Sequence, residues 1–267
     1  AYDCRRSQRF QNETIAALKI IDRGDLTPSQ MIGSWAGELG QTQFLPTRYL
    51  NYGVDYDGDG RIDLLHSAPD VIGSTANYIA KGLKWRRGEP WLEEVRMPPN
   101  FPWEKADLTI QLPRAKLARL GVTYPDGRPL PNDNLPASVL LPMGRKGPAF
   151  LAYPNFSAYT QWNNSLIYST TAAYLATRIA GAAPMRVSAG HVAQLSFGEI
   201  KELQRLLVRA GFNVGKVDGV LGQGTRSAVK AMQIKFGLPA DSWPTAELLA
   251  RMRGAPRAQA EPEARAR

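Results

Sequence analysis

The pattern of apolar and polar residues predicts two helices within the first forty residues. Residues 9–22 carry apolar side chains three or four positions apart, which predicts an amphipathic helix. Residues 27–30 read Thr-Pro-Ser-Gln, a capping box with proline at the first helical position. They predict a second helix that runs through Trp35 and ends among Gly37 and Gly40.

Two further helices are predicted in the middle of the chain. The first begins at the Ser-Ala-Pro-Asp sequence of residues 67–70 and has Ile72 on its apolar face. The second spans residues 165–180, has Leu175 and Ile179 on its apolar face, and stops at a glycine.

Residues 96–153 have a different character. Prolines are frequent, and short apolar stretches at 108–112, 138–141 and 149–153 are separated by turns such as Asp126-Gly127. Short apolar runs bounded by turn residues are typical of strands. The segment is therefore predicted to be a small β-rich insert.

The C-terminal part is predicted to be a separate small module. Residues 182–195 have the composition of a linker, and residues 196–253 follow as a compact unit whose first helix begins with a capping box at Ser196. Residues 254–267 contain mainly Ala, Arg, Glu and Pro without periodicity, which predicts a disordered tail.

The composition limits the class of protein. The 267 residues carry a net charge of +9, and 43% of them are hydrophobic, which is typical of a globular chain. No apolar run reaches the roughly 18 residues of a membrane span. One cysteine, Cys4, and two histidines, His66 and His191, exclude a disulfide framework and a His-rich metal centre. The dispersed basic charge favours an anionic polymer such as a cell wall over nucleic acid.

Residues 55–66 read DYDGDGRIDLLH and follow the spacing of an EF-hand-like calcium loop. Position 12, where a bidentate carboxylate would close the site, is His66, a poor calcium ligand. Two interpretations stay open: a Ca²⁺ site of reduced affinity, or a solvated turn that needs no metal. The candidate metal-binding residues are Asp55, Asp57, Asp59, Arg61 and Asp63.

A second candidate site lies in residues 33–46, which read GSWAGELGQTQFLP. Small residues let a backbone approach a ligand closely, and Ser34, Gln41 and Gln43 offer hydrogen-bonding groups. This combination suits a polar, uncharged ligand such as a sugar. The alternative is close packing of the chain with incidental amides.

These segments, in this order, resemble the membrane-bound lytic murein transglycosylase B family. The family motif runs Gly-Ser-aromatic-Ala-Gly, then Gly, then Gln-Phe-Met/Leu-Pro, and an EF-hand-like loop follows. Residues 74–78 continue the match, and residues 153–156 and 162–168 resemble the family's second sugar-binding segment. The resemblance covers residues 1–181 and implies a mainly α, lysozyme-like catalytic domain with a small β-rich insert.

The resemblance also implies a reaction. Such enzymes cleave the β-1,4 bond between N-acetylmuramic acid and N-acetylglucosamine in peptidoglycan, and the muramyl 6-hydroxyl closes onto C1 to leave a 1,6-anhydro end. One glutamate serves as acid and then as base, whereas most glycosidases use two carboxylates. The substrate-binding residues carried over by matching position are Ser34, Gln43, Tyr78, Trp162, Asn163 and Tyr168.

The catalytic glutamate itself has no match. In the family it lies in a Glu-Ser/Thr-x-aromatic-Gly motif before the stretch that Ala1 opens, and residues 1–267 contain no such motif. Glu13 stands in a different context, and Glu38 is not assigned the acid role. We expect the chain to be the C-terminal part of a longer enzyme. Alone it should be nearly inactive, since a general acid contributes about 10²- to 10⁴-fold in rate.

Residues 196–253 resemble the peptidoglycan-binding-domain-1 family, a small three-helix module. Its Asp-Gly-x-x-Gly-x-x-Thr hallmark matches Asp218, Gly219, Gly222 and Thr225. The same residues also suit a turn and a helix cap, so the family rather than the residues implies wall binding.

Together these features predict a monomeric lytic transglycosylase that binds peptidoglycan strands. Family and substrate imply a periplasmic or outer-membrane-associated location in a Gram-negative bacterium. One alternative is a non-catalytic peptidoglycan-binding or scaffold protein, which the missing glutamate favours. Another is a calcium-dependent carbohydrate-binding protein of unrelated fold.

Overall fold

Helices make up most of the regular structure, which also contains one small sheet. The computed structural model describes residues 7–186 and 192–254. Cys4, His191 and the predicted tail from residue 255 onward lie outside the described residues. The helices are α1 (Ser7–Arg23), α2 (Pro46–Tyr52), α3 (Ala68–Asn77), α4 (Arg114–Arg119), α5 (Phe156–Trp162), α6 (Leu166–Ile179), α7 (Phe197–Arg209), α8 (Gln223–Lys235) and α9 (Ala246–Gly254). The strands are β1 (Leu92–Val95), β2 (Leu112–Pro113), β3 (Pro136–Leu140) and β4 (Ala149–Ala152).

The chain divides into two compact units, residues 1–87 and residues 88–267. In the first unit, α1 packs on α2, and a buried carboxylate joins them. Glu13 on α1 accepts hydrogen bonds from the Thr47 amide (2.8 Å) and hydroxyl (2.9 Å). The amide belongs to the first turn of α2, where backbone N–H groups have no partner within the helix. The predicted helix at residues 9–22 is confirmed.

The second predicted helix, from Pro28 to Gly37, is wrong. The capping box forms at Thr27 and Gln30, but it starts only a single 3₁₀ turn. Three glycines follow within eight residues, and each costs a helix about 1 kcal/mol relative to alanine. Gly37 and Gly40 adopt φ values of +82° and +74°, outside the helical region.

Helix α3 begins where predicted but buries a different face. The Ser67 hydroxyl accepts the Asp70 amide N–H as an N-cap. The buried residues of α3 are Asp70, Val71 and Ser74, whereas Ile72 is exposed. A π-helical turn, Tyr78–Gly82, continues α3.

The sheet of the second unit confirms that a small β-rich region is present. Its first strand, β1, lies before the predicted bounds of 96–153, which stay a prediction. All neighbouring strands are antiparallel, in the order β1-β4-β3-β2. The apolar stretches at 138–141 and 149–153 form β3 and β4. The stretch at 108–112 does not form a strand, apart from Leu112 at its end. Asp107 accepts hydrogen bonds from the Thr109 amide and hydroxyl (2.9 and 2.7 Å), which stabilises a turn there.

Helix α6 lies where predicted, yet its buried face is formed by small and polar residues. Ser169, Thr170 and Ala173 are buried, while Leu175 and Ile179 are exposed. The Trp91 indole N–H donates to the Ala173 carbonyl at 3.0 Å, a close approach that a small side chain permits. The predicted apolar face is therefore wrong.

Three helices, α7, α8 and α9, form the C-terminal module. The capping box at Ser196 and Glu199 is present, and α8 ends before Gly237 as predicted. The core comes from one apolar face of each helix and includes Leu203, Leu207, Val229, Met232, Leu248 and Leu249.

Helix α8 also contacts the loops around the sheet, and it does so with cations. The Arg226 guanidinium donates to the carbonyls of Leu141 (2.6 Å) and Pro142 (3.1 Å). The Lys230 ammonium lies 2.8 Å from the Asp107 carboxylate, and both cations are buried. The module and the sheet thus share one compact unit. The boundaries predicted at residues 181 and 196 stay a prediction.

Within the described residues, no helix combines the length and hydropathy needed to cross a membrane.

The Lys230–Asp107 pair should stabilise the second unit. Replacing Lys230 with Met leaves a half-buried carboxylate without its cation, so we expect a loss of about 2 kcal/mol in unfolding free energy. The matched control is Glu247→Gln, which removes the exposed Arg251–Glu247 pair and should cost under about 0.5 kcal/mol. Urea denaturation measures both. Equal effects of the two substitutions would contradict the proposed stabilisation.

The same pair predicts an acid-sensitive stability. Burial raises the pKa of Asp107, but hydrogen bonds from Lys230 and Thr109 outweigh it and hold the pKa below its ordinary value. The pair therefore contributes fully above the unfolded-state pKa of about 3.9 and is lost as the pH falls through the folded-state pKa. Urea midpoints of the parent and Asp107→Asn should converge below about pH 4. A pH-independent difference would contradict this.

Candidate functional site

The glycine-rich segment forms a tight turn centred on Ser34 and Glu38. The Ser34 hydroxyl donates to the Glu38 carboxylate at 2.6 Å and accepts the amide N–H groups of Ala36 and Glu38, each at 3.3 Å. The backbone closes the turn, since the Ser34 amide donates to the Glu38 carbonyl at 2.9 Å. Both side chains are half-buried. The turn therefore presents a hydroxyl–carboxylate pair at the surface.

Gln43 lies on the next loop in a strained backbone conformation. Leu39 and Phe44 exchange two backbone hydrogen bonds, at 2.7 and 2.8 Å, and enclose the loop between them. Gln43 has φ of +56°, which costs a non-glycine residue about 1–3 kcal/mol. A Cβ on Gly40 would lie 2.5 Å from the Leu64 carbonyl oxygen, so the loop needs glycine there. Gln43 is exposed, so its side-chain amide is accessible to a ligand.

Tyr78 is packed beneath this loop. Its ring centroid lies 5.6 Å from that of Phe44 and 4.9 Å from that of Tyr52, and the Arg48 guanidinium lies 4.8 Å from the Tyr78 centroid. Burial raises the pKa of Tyr78, so its hydroxyl is neutral at pH 7. The ring supports Phe44 and hence the loop of Gln43. Sequence reasoning missed Arg48, which no motif marks.

The aspartate loop brings three carboxylates together. Ligand oxygens of Asp55, Asp57 and Asp59 lie within 4.8 Å of one another. Asp55 also fixes the turn, since its carboxylate accepts the N–H groups of Gly58 (2.7 Å), Asp59 (3.1 Å) and Gly60 (2.9 Å). These oxygens are hard ligands of the type that Ca²⁺ prefers.

The other two candidate ligands have different surroundings. Asp63 accepts the amide N–H groups of Leu65 and His66, each at 2.9 Å, and its carboxylate lies 3.0 Å from His66 Nδ1. Burial raises the pKa of Asp63, but these contacts outweigh it and lower the pKa. The Arg61 guanidinium lies 4.0 Å from Asp59. Asp63 is thus paired with His66, which is the residue at position 12 of the loop.

Asp70, on α3, holds this loop in place, and the sequence pattern alone does not indicate this role. Only 1% exposed, it accepts the Tyr56 amide at 2.7 Å through one carboxylate oxygen and the Asp63 amide at 2.8 Å through the other. It therefore ties both ends of the loop to α3. In the sequence, Asp70 stands out only as part of a helix start. The feature that could have indicated its role is the presence of a carboxylate shortly after position 12 of the loop.

The remaining candidates, Trp162, Asn163 and Tyr168, cluster in the second unit where α5 meets α6. The Asn163 side chain accepts the Ser165 amide at 2.8 Å, and the Ser169 hydroxyl donates to the Asn163 carbonyl at 2.8 Å. Trp162 is half-buried, and Tyr168 is 50% exposed. The Asn163 hydrogen bonds fix the turn between α5 and α6, on either side of which Trp162 and Tyr168 lie.

Sequence reasoning also missed a cavity of about 360 Å³ in the second unit. Strand β1, the loop at 124–128 and residues 182–186 enclose it. Its charged and aromatic lining includes Glu93, Glu94, Tyr124, Arg128, Tyr174 and Arg186.

Two protein families match the chain. The family described as "Transglycosylase SLT domain" matches residues 1–177, and the family described as "Putative peptidoglycan binding domain" matches residues 198–252. The two matches are consecutive and leave a short interval near the predicted linker.

Curated relatives match each part. The "Membrane-bound lytic murein transglycosylase B" of Escherichia coli is 31% identical to this chain over 167 positions, which cover 62% of this chain and 44% of that protein. The "Spore cortex-lytic enzyme" of Bacillus cereus is 54% identical over 43 positions, or 16% of this chain and 17% of that protein. The chain thus spans less than half the length of these curated relatives.

Solved structures resemble the whole fold or its first part. SltB3 from Pseudomonas aeruginosa, in complex with NAG-anhNAM-pentapeptide, has 44% identity and a TM-score of 0.80, over 95% of this chain and 68% of that one. The Escherichia coli lytic transglycosylase Slt35 in complex with calcium has 32% identity and a TM-score of 0.55, over 67% of this chain and 55% of that one. With the first family model covering residues 1–177, the chain belongs to the transglycosylase SLT domain family.

Proposed function

We propose that this chain is part of a lytic transglycosylase that cleaves the MurNAc–GlcNAc β-1,4 bond of peptidoglycan and leaves a 1,6-anhydromuramyl end. The observation that carries the proposal is the likeness to SltB3, which was solved with a ligand named NAG-anhNAM-pentapeptide and matches 95% of the chain. The second family match adds a wall-binding module, which suits an insoluble polymeric substrate.

The described residues suit the positioning of a glycan. Within the first unit, exposed Gln43 and half-buried Ser34 offer an amide and a hydroxyl group to a sugar. The second unit, considered by itself, offers the rings of Trp162 and Tyr168 and the amide of Asn163. Tyr78 acts through packing, since its ring supports Phe44. Positioning groups of this type contribute to rate by holding the reacting atoms in register.

The acid–base residue is proposed to be a glutamate upstream of residue 1. Glu13 is buried and engaged with Thr47, which leaves it a structural role. Glu38 is half-buried, and Ser34 donates to it at 2.6 Å. This hydrogen bond engages the Glu38 carboxylate within its own turn, which supports a structural role for Glu38.

Digestion of purified peptidoglycan sacculi tests this assignment. A version extended through the upstream coding sequence should release 1,6-anhydro-muropeptides, detected by mass spectrometry. The chain of residues 1–267 should be at least about 10²-fold slower, because a general acid contributes that much.

Two further results discriminate the alternatives. Glu38→Gln in the extended form should keep the same products, and loss of all cleavage would give Glu38 the acid role. If neither form releases anhydro products while both sediment with sacculi, the non-catalytic wall-binding protein becomes the better account.

We infer that the loop at residues 55–63 binds Ca²⁺. The support is the group of three carboxylates with oxygens within 4.8 Å, together with a related structure solved with calcium. A bound Ca²⁺ would neutralise these carboxylates. Asp55, Asp57 and Asp59 would hold it, and His66 at position 12 predicts reduced affinity.

Calorimetric titration in chelator-treated buffer measures this binding. We expect a Kd of order 10⁻⁴ to 10⁻³ M, the weak end of such loops. Replacing both Asp57 and Asp59 with Asn should abolish the heat. The control Asp126→Asn alters an exposed Asp-Gly turn elsewhere and should leave the heat unchanged. Absence of heat from the parent chain up to millimolar Ca²⁺ would end the inference.

The proposed substrate implies a periplasmic or outer-membrane-associated protein, because peptidoglycan lies there in Gram-negative bacteria. We further propose a monomer, which light scattering of the purified chain would test.

A further inference from the structure

The C-terminal module carries an exposed apolar patch, defined by Phe197, Val217 and Val220. Their exposed fractions are 61%, 38% and 57%. Phe197 opens α7, and the two valines flank Gly219 in the loop before α8. Single exposed apolar residues are ordinary, but an aromatic ring with two aliphatic neighbours forms a surface that a ligand can cover.

The position of the Phe197 ring depends on a glycine. Gly219 has φ of +84°, and a Cβ at this position would lie 2.5 Å from Phe197 Cε2. The ring therefore rests directly on the loop backbone. The Lys201 ammonium, one helical turn further along α7, lies 4.5 Å from the ring centroid. It places a cation beside the patch.

A fully buried glutamine holds the loop beneath the patch. The Gln204 side-chain oxygen accepts the Gly219 amide at 2.8 Å, and its NH₂ group lies 3.0 Å from the Val220 carbonyl and 3.2 Å from the Thr225 hydroxyl. Gln204 is 0% exposed. The loop is fixed from inside the module, so the patch is formed before any ligand arrives and binding needs little reordering.

The chemistry of the patch suits an N-acetylated sugar. A pyranose presents C–H groups on one face, and an N-acetyl group adds a methyl, which the ring and the valines can remove from water. Lys201 and the exposed Asp218 at the rim can hydrogen-bond to hydroxyl and amide groups. A purely charged ligand would leave the apolar centre unused.

We propose that Phe197, with Val217 and Val220, forms the surface by which the module holds an N-acetylated sugar of the peptidoglycan strand. The proposal deepens the proposed wall-binding function and rests on it. It assigns the apolar contact to residues outside the Asp-Gly-x-x-Gly-x-x-Thr hallmark. The hallmark residues Gly219 and Thr225 then serve to position the patch.

Co-sedimentation of the full chain with purified sacculi tests the proposal. Phe197→Leu keeps an apolar side chain but removes the ring, and it should weaken binding about 10-fold. Phe197→Trp keeps an aromatic ring and should bind within about twofold of the parent. The matched control is Ile234→Ala on α8, which removes a residue of similar exposure (56%) outside the patch and should have no effect.

A second variant separates ring position from ring identity. Gly219→Ala must displace the ring and should weaken binding as Phe197→Leu does, while Tm values report whether each variant is folded. Soluble tetra-N-acetylchitotetraose should compete with sacculi for the parent chain but not for the Phe197→Leu chain.

The outcomes are distinct. If the parent chain does not sediment with sacculi, the proposed wall-binding function fails. If the parent sediments and folded Phe197→Leu binds equally well, wall binding stands and the assignment of the patch is overturned.

Discussion

Buried polar side chains that bond to loop backbones are the constraint on which the rest of the structure depends. Each loop with candidate chemistry departs from regular structure, so its N–H and C=O groups need partners from elsewhere. Asp70 supplies them for the aspartate loop, Gln204 for the loop before α8, and Glu13 for the first turn of α2. All three are at least nine-tenths buried. They let irregular loops keep one conformation without a ligand.

This arrangement separates the residues that hold a loop from those that present chemistry. An unpaired buried amide costs about 1–3 kcal/mol, so truncating a holding residue such as Gln204 removes several bonds together. A presenting residue such as Phe197 or Gln43 is exposed, and its loss should cost little stability. Substitutions at the two kinds of position are therefore distinguishable by measuring stability and binding side by side.

The same separation explains what the sequence could predict. The start of α7 follows from the local capping box at Ser196, and strands β3 and β4 follow from short apolar runs. The capping box at Thr27 predicts a helix through Trp35, but the glycines that follow the box prevent it. The role of Asp70 could not be inferred, since its partners lie seven to fourteen positions away. The buried face of α6 differs from the predicted apolar face, because Ala173 is buried where another part of the chain approaches the helix backbone closely.

Burial also changes how the net charge of +9 should be interpreted. A basic chain attracts anionic polymers only through cations that reach solvent. Arg226 and Lys230 on α8 are buried and bond to Leu141, Pro142 and Asp107, whereas Lys235 on the same helix is exposed. Burial lowers the pKa of Arg226 below its ordinary value. These charges join the module to the sheet. The net charge alone therefore overstates how many of the module's cations are available to an anionic ligand.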